Sequence, residues 1–253
     1  MVCRPAPTDH GIQFCRVDQP DQPEVSATLD SVSADNREPC TTLVIRPGVE
    51  VNIVEHLLAA CLGLGIDNLR VEIDGPEVPL FDGSAEPIVR ELLQAGLKEQ
   101  NKPRRHWTVA RPFVFREEQV EIIALPSEGF RATYFADFPH PAIGVQSASV
   151  DVEREFLEQV AKARTFCLEE DIPSMREAGR IKGGDLKCAV VFGARGPLHT
   201  KLHFPNEPAR HKLLDLLGDL YLLGRPLRGH ILAWRSGHRT HAAFLKQLRK
   251  ELE

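Results

Sequence analysis

His211 and Asp215 lie four residues apart in the run R-H-K-L-L-D-L-L-G-D, from Arg210 to Asp219. On an α-helix that spacing sets an imidazole above a carboxylate, about 40° apart round the axis. Such a pair can hold one cation, and the apolar pairs Leu213/Leu214 and Leu216/Leu217 would fix the helix that carries it. The same spacing also suits a solvated turn of helix. A catalytic zinc takes three protein groups and keeps a position open for water, so a third ligand is needed. His56, in V-E-H-L-L-A-A, is the best candidate.

Glu55 precedes His56, and neighbours on a helix point about 100° apart. His56 can therefore face a metal while Glu55 reaches water beside it, which is where a general base must stand. An exposed helix N-terminus would favour the same acid. His238, in R-S-G-H, opens the last helix, and Asp219 lies one turn beyond Asp215. A carboxylate bonded to an imidazole raises its pKa and fixes its orientation. A histidine charged in this way can stabilise an oxyanion and protonate a leaving amine; a loop histidine is the plain alternative. Lys212 could meet a phosphate or be simply solvated. Thr165 and Phe166, in A-R-T-F, offer a hydroxyl donor and an apolar wall, both ordinary in a strand. The histidines at 10, 106, 140, 199, 203, 230 and 241 have no usable spacing. They read as structural or surface groups, with His140 shaping a turn.

The elements that must position these groups follow from periodicity. Residues 1–23 are rich in Pro and Asp, broken by an alternating piece at 11–17. Strand-like runs cover 24–29, 40–46, 49–53 and 69–73, with helices at 54–64 and, capped by Ser84, through Ala95. The basic stretch Lys102 to Arg105 marks a domain boundary. Beyond it, 107–115, 120–125 and 130–138 read as successive antiparallel strands. Helices are expected at 153–163 and 173–178, a turn at Gly183-Gly184, and a strand at 189–192. A long helix at 207–223, a strand at 229–235 and a last helix at 238–252 complete the chain. Each half thus reads as strands, then helix–strand–helix, with a histidine opening the first helix. Two related halves facing each other would bring both histidines to one cleft, although helix–strand–helix outlines are common.

The 253 residues suffice for one large domain or two compact ones with real cores. A net charge of −5 argues against a nucleic-acid binder, which needs a basic face. Six cysteines (3, 15, 40, 61, 167, 188) are scattered without close pairing, so neither a zinc ribbon nor a disulfide scaffold is suggested. The opening residues have no apolar core for a signal peptide. No run approaches the ~18 to 20 apolar residues that span a bilayer. The expectation is a reduced, soluble protein of the cytoplasm.

The order of these signals carries more than any one of them. V-E-H-L-L-A-A-C-L-G-L-G-I-D-N, D-G-P-E-V-P-L-F-D-G-S-A, D-F-P-H-P-A-I-G, A-R-T-F, R-H-K-L-L-D-L-L-G-D-L-Y-L-L-G and R-S-G-H together resemble the UDP-3-O-acyl-N-acetylglucosamine deacetylases. These are the zinc amidases that commit the pathway to lipid A. The resemblance runs from about Pro5 to the C-terminus. It implies Zn²⁺ bound by His56, His211 and Asp215, with Glu55 as general base. It makes His238, oriented by Asp219, the cationic acid, Thr165 an oxyanion donor, Lys212 a neighbour of the nucleotide diphosphate, and Phe166 part of the substrate wall. The implied fold is α+β: two similar domains, each a mainly antiparallel sheet with helices on one face, and the helices sandwiched between the sheets. The division falls at 1–103, supplying Glu55 and His56, and 104–253, supplying His211, Asp215 and His238. Each domain carries an insert, the second within about Thr165 to Val191, shaping an apolar passage for the acyl chain.

This chain departs from the family's pattern in places. The family opens with a further strand and a Gly-containing turn that this sequence lacks. It usually has Thr at Ile53, Gly at Cys167 and Asn at His241, and the G-G-D-L-K-C-A segment is changed. The implied activity is release of acetate from a UDP-linked, 3-O-acylated N-acetylglucosamine by a monomer. Two alternatives stand beside it: a weakly active or non-catalytic relative that binds zinc and the nucleotide lipid, and a hydrolase of another acylated amino sugar. Cys40 either lies near the metal or fills a strand face.

Overall fold

A computed structural model describes residues 1–34, 39–177 and 188–253. Alternating apolar residues build its two main sheets. The first half runs β1 (Val2–Pro5), β2 (Ile12–Arg16), β3 (Glu24–Ser26), β4 (Thr42–Arg46), β5 (Val49–Asn52), α1 (Glu55–Leu64), β6 (Leu69–Ile73) and α2 (Glu86–Ala95). Its sheet has the order β1-β6-β2-β3, with β4 and β5 forming a separate hairpin.

The second half begins with β7 (Trp107–Thr108), β8 (Phe113–Glu117), β9 (Val120–Leu125), β10 (Phe130–Asp137), β11 (Val145–Asp151) and α3 (Val152–Gln159). Then come β12 (Phe166–Leu168), α4 (Ile172–Glu177), β13 (Val190–Gly193), β14 (Gly196–Leu198), α5 (Glu207–Leu220), β15 (Leu227–Trp234) and α6 (His238–Leu252). The main sheet has the order β11-β10-β15-β9-β8, with β7 also paired to β15, and β12-β13-β14 form a small sheet of their own.

The class is α+β, and the two sheets share a wiring plan. β2 pairs antiparallel with β3 and parallel with β6, which it reaches through α1. β10 pairs antiparallel with β11 and parallel with β15, reached through α5. β1 flanks β6 as β9 flanks β15, both antiparallel. The extra pieces fall at matching places, the β4–β5 hairpin before α1 and the β12–β14 sheet before α5.

α1 and α5 pack on each other. One apolar cluster runs from Phe14 and Val71 through Leu57, Leu58, Leu213 and Leu214 to Ala132 and Ile231 in the second sheet. A helix buried all round belongs to the middle of a core, and every residue from Glu55 to Leu62 is buried. Leu213, Leu214, Leu216, Leu217 and Leu220 are likewise buried. At about 1.5–3 kcal/mol each, they hold in place the costly polar groups that α5 carries between them.

Several expectations shift. The 107–115 run splits into β7 and β8, because Pro112 has no N–H to give a ladder. The runs at 120–125 and 130–138 are not neighbours, since the crossover through α5 lays β15 between them. β1 and β11 are additional strands. α2 starts at Glu86, whose N–H donates to the Ser84 hydroxyl at 3.2 Å. The long helix ends at Leu220 and tightens into a 3-10 turn over Tyr221–Leu223. The Gly183-Gly184 turn lies outside the described residues. No helix among those described is long and apolar enough to cross a membrane.

Candidate metal and catalytic site

α1 and α5 cross so closely that a Cβ on Gly218 would stand 2.1 Å from the Glu55 carbonyl oxygen. The missing side chain lets the first turn of α1 lie against the C-terminal half of α5. His56, the second residue of α1, therefore meets His211 and Asp215 on α5. Both imidazoles and the carboxylate are buried, at 3% exposure each. The Nε2 atoms of His56 and His211 lie 3.7 and 3.3 Å from the same oxygen, Asp215 Oδ1. The rings meet edge to face with centroids 5.1 Å apart.

The donor set can be tested against a cation. His211 Nδ1 is 3.1 Å from the carbonyl of Ala163, so it carries the proton and leaves Nε2 as a lone pair. That lone pair faces a carboxylate oxygen, an acceptor against an acceptor. Burial lowers the pKa of His211, and burial with His211 nearby takes His56 down to about 3, so burial favours the neutral form of each ring. Asp215 is held well below the usual carboxylate range: burial opposes this, but His211, Lys212, His238 and His56 outweigh it. Lys212 Nζ donates to Asp215 Oδ2 at 2.6 Å, leaving Oδ1 to the histidines. His56 Nδ1 is buried with no hydrogen-bond partner among the described residues. Two imidazoles whose burial favours the neutral form, converging on an ionised, braced carboxylate with the His211 lone pair turned toward it, fit a zinc-type ion.

Glu55, Asp215 and His238 offer atoms within 4.8 Å of one another. Burial raises the Glu55 carboxyl to about 7; His238 opposes this while Asp215 and Asp219 add to it. The reverse holds at His238, the first residue of α6. Burial works against its charge, yet Asp219, then Glu55 and Asp215, lift it to about 9. Asp219 Oδ2 accepts from His238 Nδ1 at 2.8 Å. Asp219 itself is held down to about 2, against burial, by His238 and His241.

The other expected residues line the approach. Phe166, at the start of β12, stands edge-on to His211 with centroids 6.3 Å apart and touches Phe138. It belongs to a second apolar cluster with Ile143, Val190 and Phe192. Lys212 borders a cavity of about 390 Å³ lined also by Tyr134, Phe138, Arg235 and Ser236. Thr165 is half-buried, with its N–H bonded to the Gly83 carbonyl at 2.7 Å. A Cβ on Gly83 (φ +85°) would collide with the Cys188 carbonyl and the Thr165 side chain. Among the described residues the Thr165 hydroxyl makes no hydrogen bond, so it is near the His211 support but not tied into the cluster. Cys40 is half-buried beside Thr41.

His241, one of the histidines read as structural or surface groups, is fully buried inside the site. Its Nδ1 donates to Asp219 Oδ2 at 2.6 Å, and Ser236 Oγ donates to its Nε2 at 2.8 Å. Thr41 also belongs to the site. A lone threonine before a strand carries no spacing signal, whereas His241 stands three residues on from His238, on one face of α6.

Residues 1–250 match the family described as UDP-3-O-acyl N-acetylglycosamine deacetylase. The chain is 41% identical to the bifunctional enzyme LpxC/FabZ of Chlorobaculum tepidum, over 99% of this chain and 59% of that one. It is 43% identical to a UDP-3-O-acyl-N-acetylglucosamine deacetylase of Anaeromyxobacter, covering 98% and 81% of the two chains. To the deacetylase of that name from Bdellovibrio bacteriovorus it is 38% identical, over 94% and 78%.

Proposed function

Because the chain belongs to the UDP-3-O-acyl-N-acetylglucosamine deacetylase family, we propose that its buried cluster hydrolyses the N-acetyl amide of a UDP-linked, 3-O-acylated glucosamine, releasing acetate for lipid A synthesis. The observation that carries this is the convergence of the Nε2 atoms of His56 and His211 on Asp215 Oδ1. These residues would hold Zn²⁺, which when bound polarises an amide carbonyl and acidifies water.

The chain's own groups do the rest. Glu55, raised to about 7, takes a proton from the attacking water. His238, kept cationic by Asp219, stabilises the developing oxyanion and gives a proton to the leaving amine. Thr165 donates to the same oxyanion from the segment beside Ala163. Lys212 meets the diphosphate from the wall of the 390 Å³ cavity. Phe166 and its apolar cluster exclude water and receive the acyl chain. The shared wiring of the two sheets supports a division into similar units at 1–103 and 104–253. The setting proposed is the cytoplasm, with the chain acting as a monomer.

The test is direct. Purified protein should carry about one zinc per chain and release acetate from the acylated UDP-sugar. Chelation should abolish release and added zinc restore it. Full activity after the metal is stripped would end the metal reading. Equal turnover of a des-acyl substrate would end the lipid-specific one.

A further inference from the structure

Thr41 has no part in the roles assigned above, yet each of its polar groups is committed to the site. It is 1% exposed, immediately before β4 in the hairpin that precedes α1. Its backbone N–H donates to Glu55 Oε2 at 3.0 Å. Its carbonyl accepts from the N–H of Val54, the residue that caps α1, at 3.4 Å. Its hydroxyl donates to Asp219 Oδ1, and the hydroxyl oxygen itself lies 3.1 Å from His238 Nδ1. One residue thus touches the base and the support of the acid.

That placement answers a problem set by the site itself. Glu55 and His238 are buried groups of opposite tendency, with atoms inside 4.8 Å of each other. If the carboxylate turned onto the imidazole, the two would form an ion pair. The base would lose its lone pair and the acid its free proton. A buried ion pair of good geometry is hard to break, since separating it leaves two uncompensated charges. A group is needed that occupies each partner from the other side. The geometry points to Thr41 as the positioning residue that keeps the pair open. Its N–H fixes the Glu55 carboxylate, while its hydroxyl pins Asp219 and so sets the His238 ring. The hydroxyl bond also locates the Thr41 backbone, so loss of the side-chain contact releases both ends.

The inference rests on the acid–base roles given to Glu55 and His238, and the experiment separates the two. In the zinc-loaded full chain, Thr41→Val should lower kcat by roughly 10- to 100-fold, the range for loss of a group that orients reacting side chains. KM and zinc content should hold. Thr41→Ser, which restores the hydroxyl, should recover the loss. The downfield Nδ1–H resonance of His238 should move in the valine variant and return in the serine variant. A purely structural role would lower the melting temperature of Thr41→Val and leave kcat and that resonance in place. A folded Thr41→Val with wild-type kcat overturns the role, as does a Thr41→Ser as impaired as the valine variant. If the valine variant does not fold, Thr41→Ala takes its place under the same criteria. Wild-type crystal coordinates with the Thr41 N–H and hydroxyl out of bonding reach of Glu55 and Asp219 also overturn it. A wild type that releases no acetate sinks the acid–base reading instead.

Discussion

Glu55 and Glu207 hold equivalent places in the two halves, and the protein treats them in opposite ways. Each is the first residue of a helix that carries the chain from a strand to its parallel neighbour. Each is buried, at 2% and 1% exposure. Glu207 has a dedicated cation: Arg164 Nε donates to Oε1 at 2.8 Å, and the N–H groups of Arg164 and His203 add bonds at 3.1 and 2.6 Å. Burial would raise its carboxyl, but these partners hold it below the usual value. Among the described residues Glu55 accepts from one other residue, the Thr41 N–H, and burial, joined by Asp215 and Asp219, raises it to about 7 against the pull of His238. Burial sets the direction and the neighbours decide the outcome. An ionised, clamped glutamate holds a loop; a poised one can exchange a proton.

The sharpest way to break this comparison is to neutralise each acid without changing its shape. Glu55→Gln should lower acetate release by roughly 10²- to 10⁴-fold, the usual contribution of a positioned general base. Its thermal stability should be equal or higher, because a poorly compensated buried charge has gone. A Glu55→Gln enzyme with near-normal turnover would remove Glu55 from the chemistry.

Glu207→Gln should show the opposite balance, costing about 3–5 kcal/mol of stability, as when one partner of a buried pair is removed. The loss carries a pH signature. A carboxyl lowered in the folded state stabilises it above the unfolded value, near 4.5, and that contribution fades as pH falls through the lower folded value. Urea unfolding should therefore show a full deficit for the variant at neutral pH and a shrinking one in acid. Because Arg164 adjoins Ala163, whose carbonyl orients His211, zinc affinity should fall with it. A deficit that does not vary with pH would show that Glu207 acts by shape alone.

The next test addresses the contact that joins the halves. Gly218→Ala would gain about 1 kcal/mol of helix propensity in isolation. In place, its Cβ would meet the Glu55 carbonyl at 2.1 Å, and backbone cannot yield as a side-chain tip can. The net expectation is about 1–3 kcal/mol lost to overpacking, with turnover falling further than stability because Glu55 and His56 move together. Thermal unfolding and kcat on one preparation separate the two.

How much of this could be read in advance depends on the range of the interaction. β6, β9 and α6 are written in local periodicity, and the structure keeps their bounds. β11, reading V-Q-S-A-S-V-D, is polar and gains its strand from pairing with β10. The insertion of β15 between β9 and β10 is a matter of crossover, which spacing does not encode. In the site, His211 and Asp215 are legible because one helix carries both. His56 is reached only by asking what a metal still needs. Thr41 is set against Asp219 by packing between residues 178 apart. The Arg164 clamp on Glu207 spans 43 residues, and the comparison of the two glutamates exists only once both helices are in place.

The smallest effect is expected at His241, and it sharpens the comparison from the side of Asp219. Where Glu55 has one donor, Asp219 has Thr41 on Oδ1 and both His238 and His241 on Oδ2. Burial lowers the pKa of His241 against the pull of Asp219, which disfavours a second cation there. A hydrogen bond to an ionised carboxylate is worth about 1.5–3 kcal/mol, a factor of roughly ten to a hundred, when it is lost outright. His241→Asn keeps an N–H donor on the same turn of α6 and should change kcat by less than that. His241→Leu leaves Asp219 Oδ2 with His238 alone, which concentrates the carboxylate charge on the acid and should raise its pKa further. Titration of the His238 ring by NMR in the zinc-loaded enzyme would detect that rise even where kcat barely moves. An unchanged ring in His241→Leu would mean that His241 only fills space. A collapse of turnover in His241→Asn would mean that the second imidazole carries a proton in the reaction, and that Asp219 serves two acids rather than one.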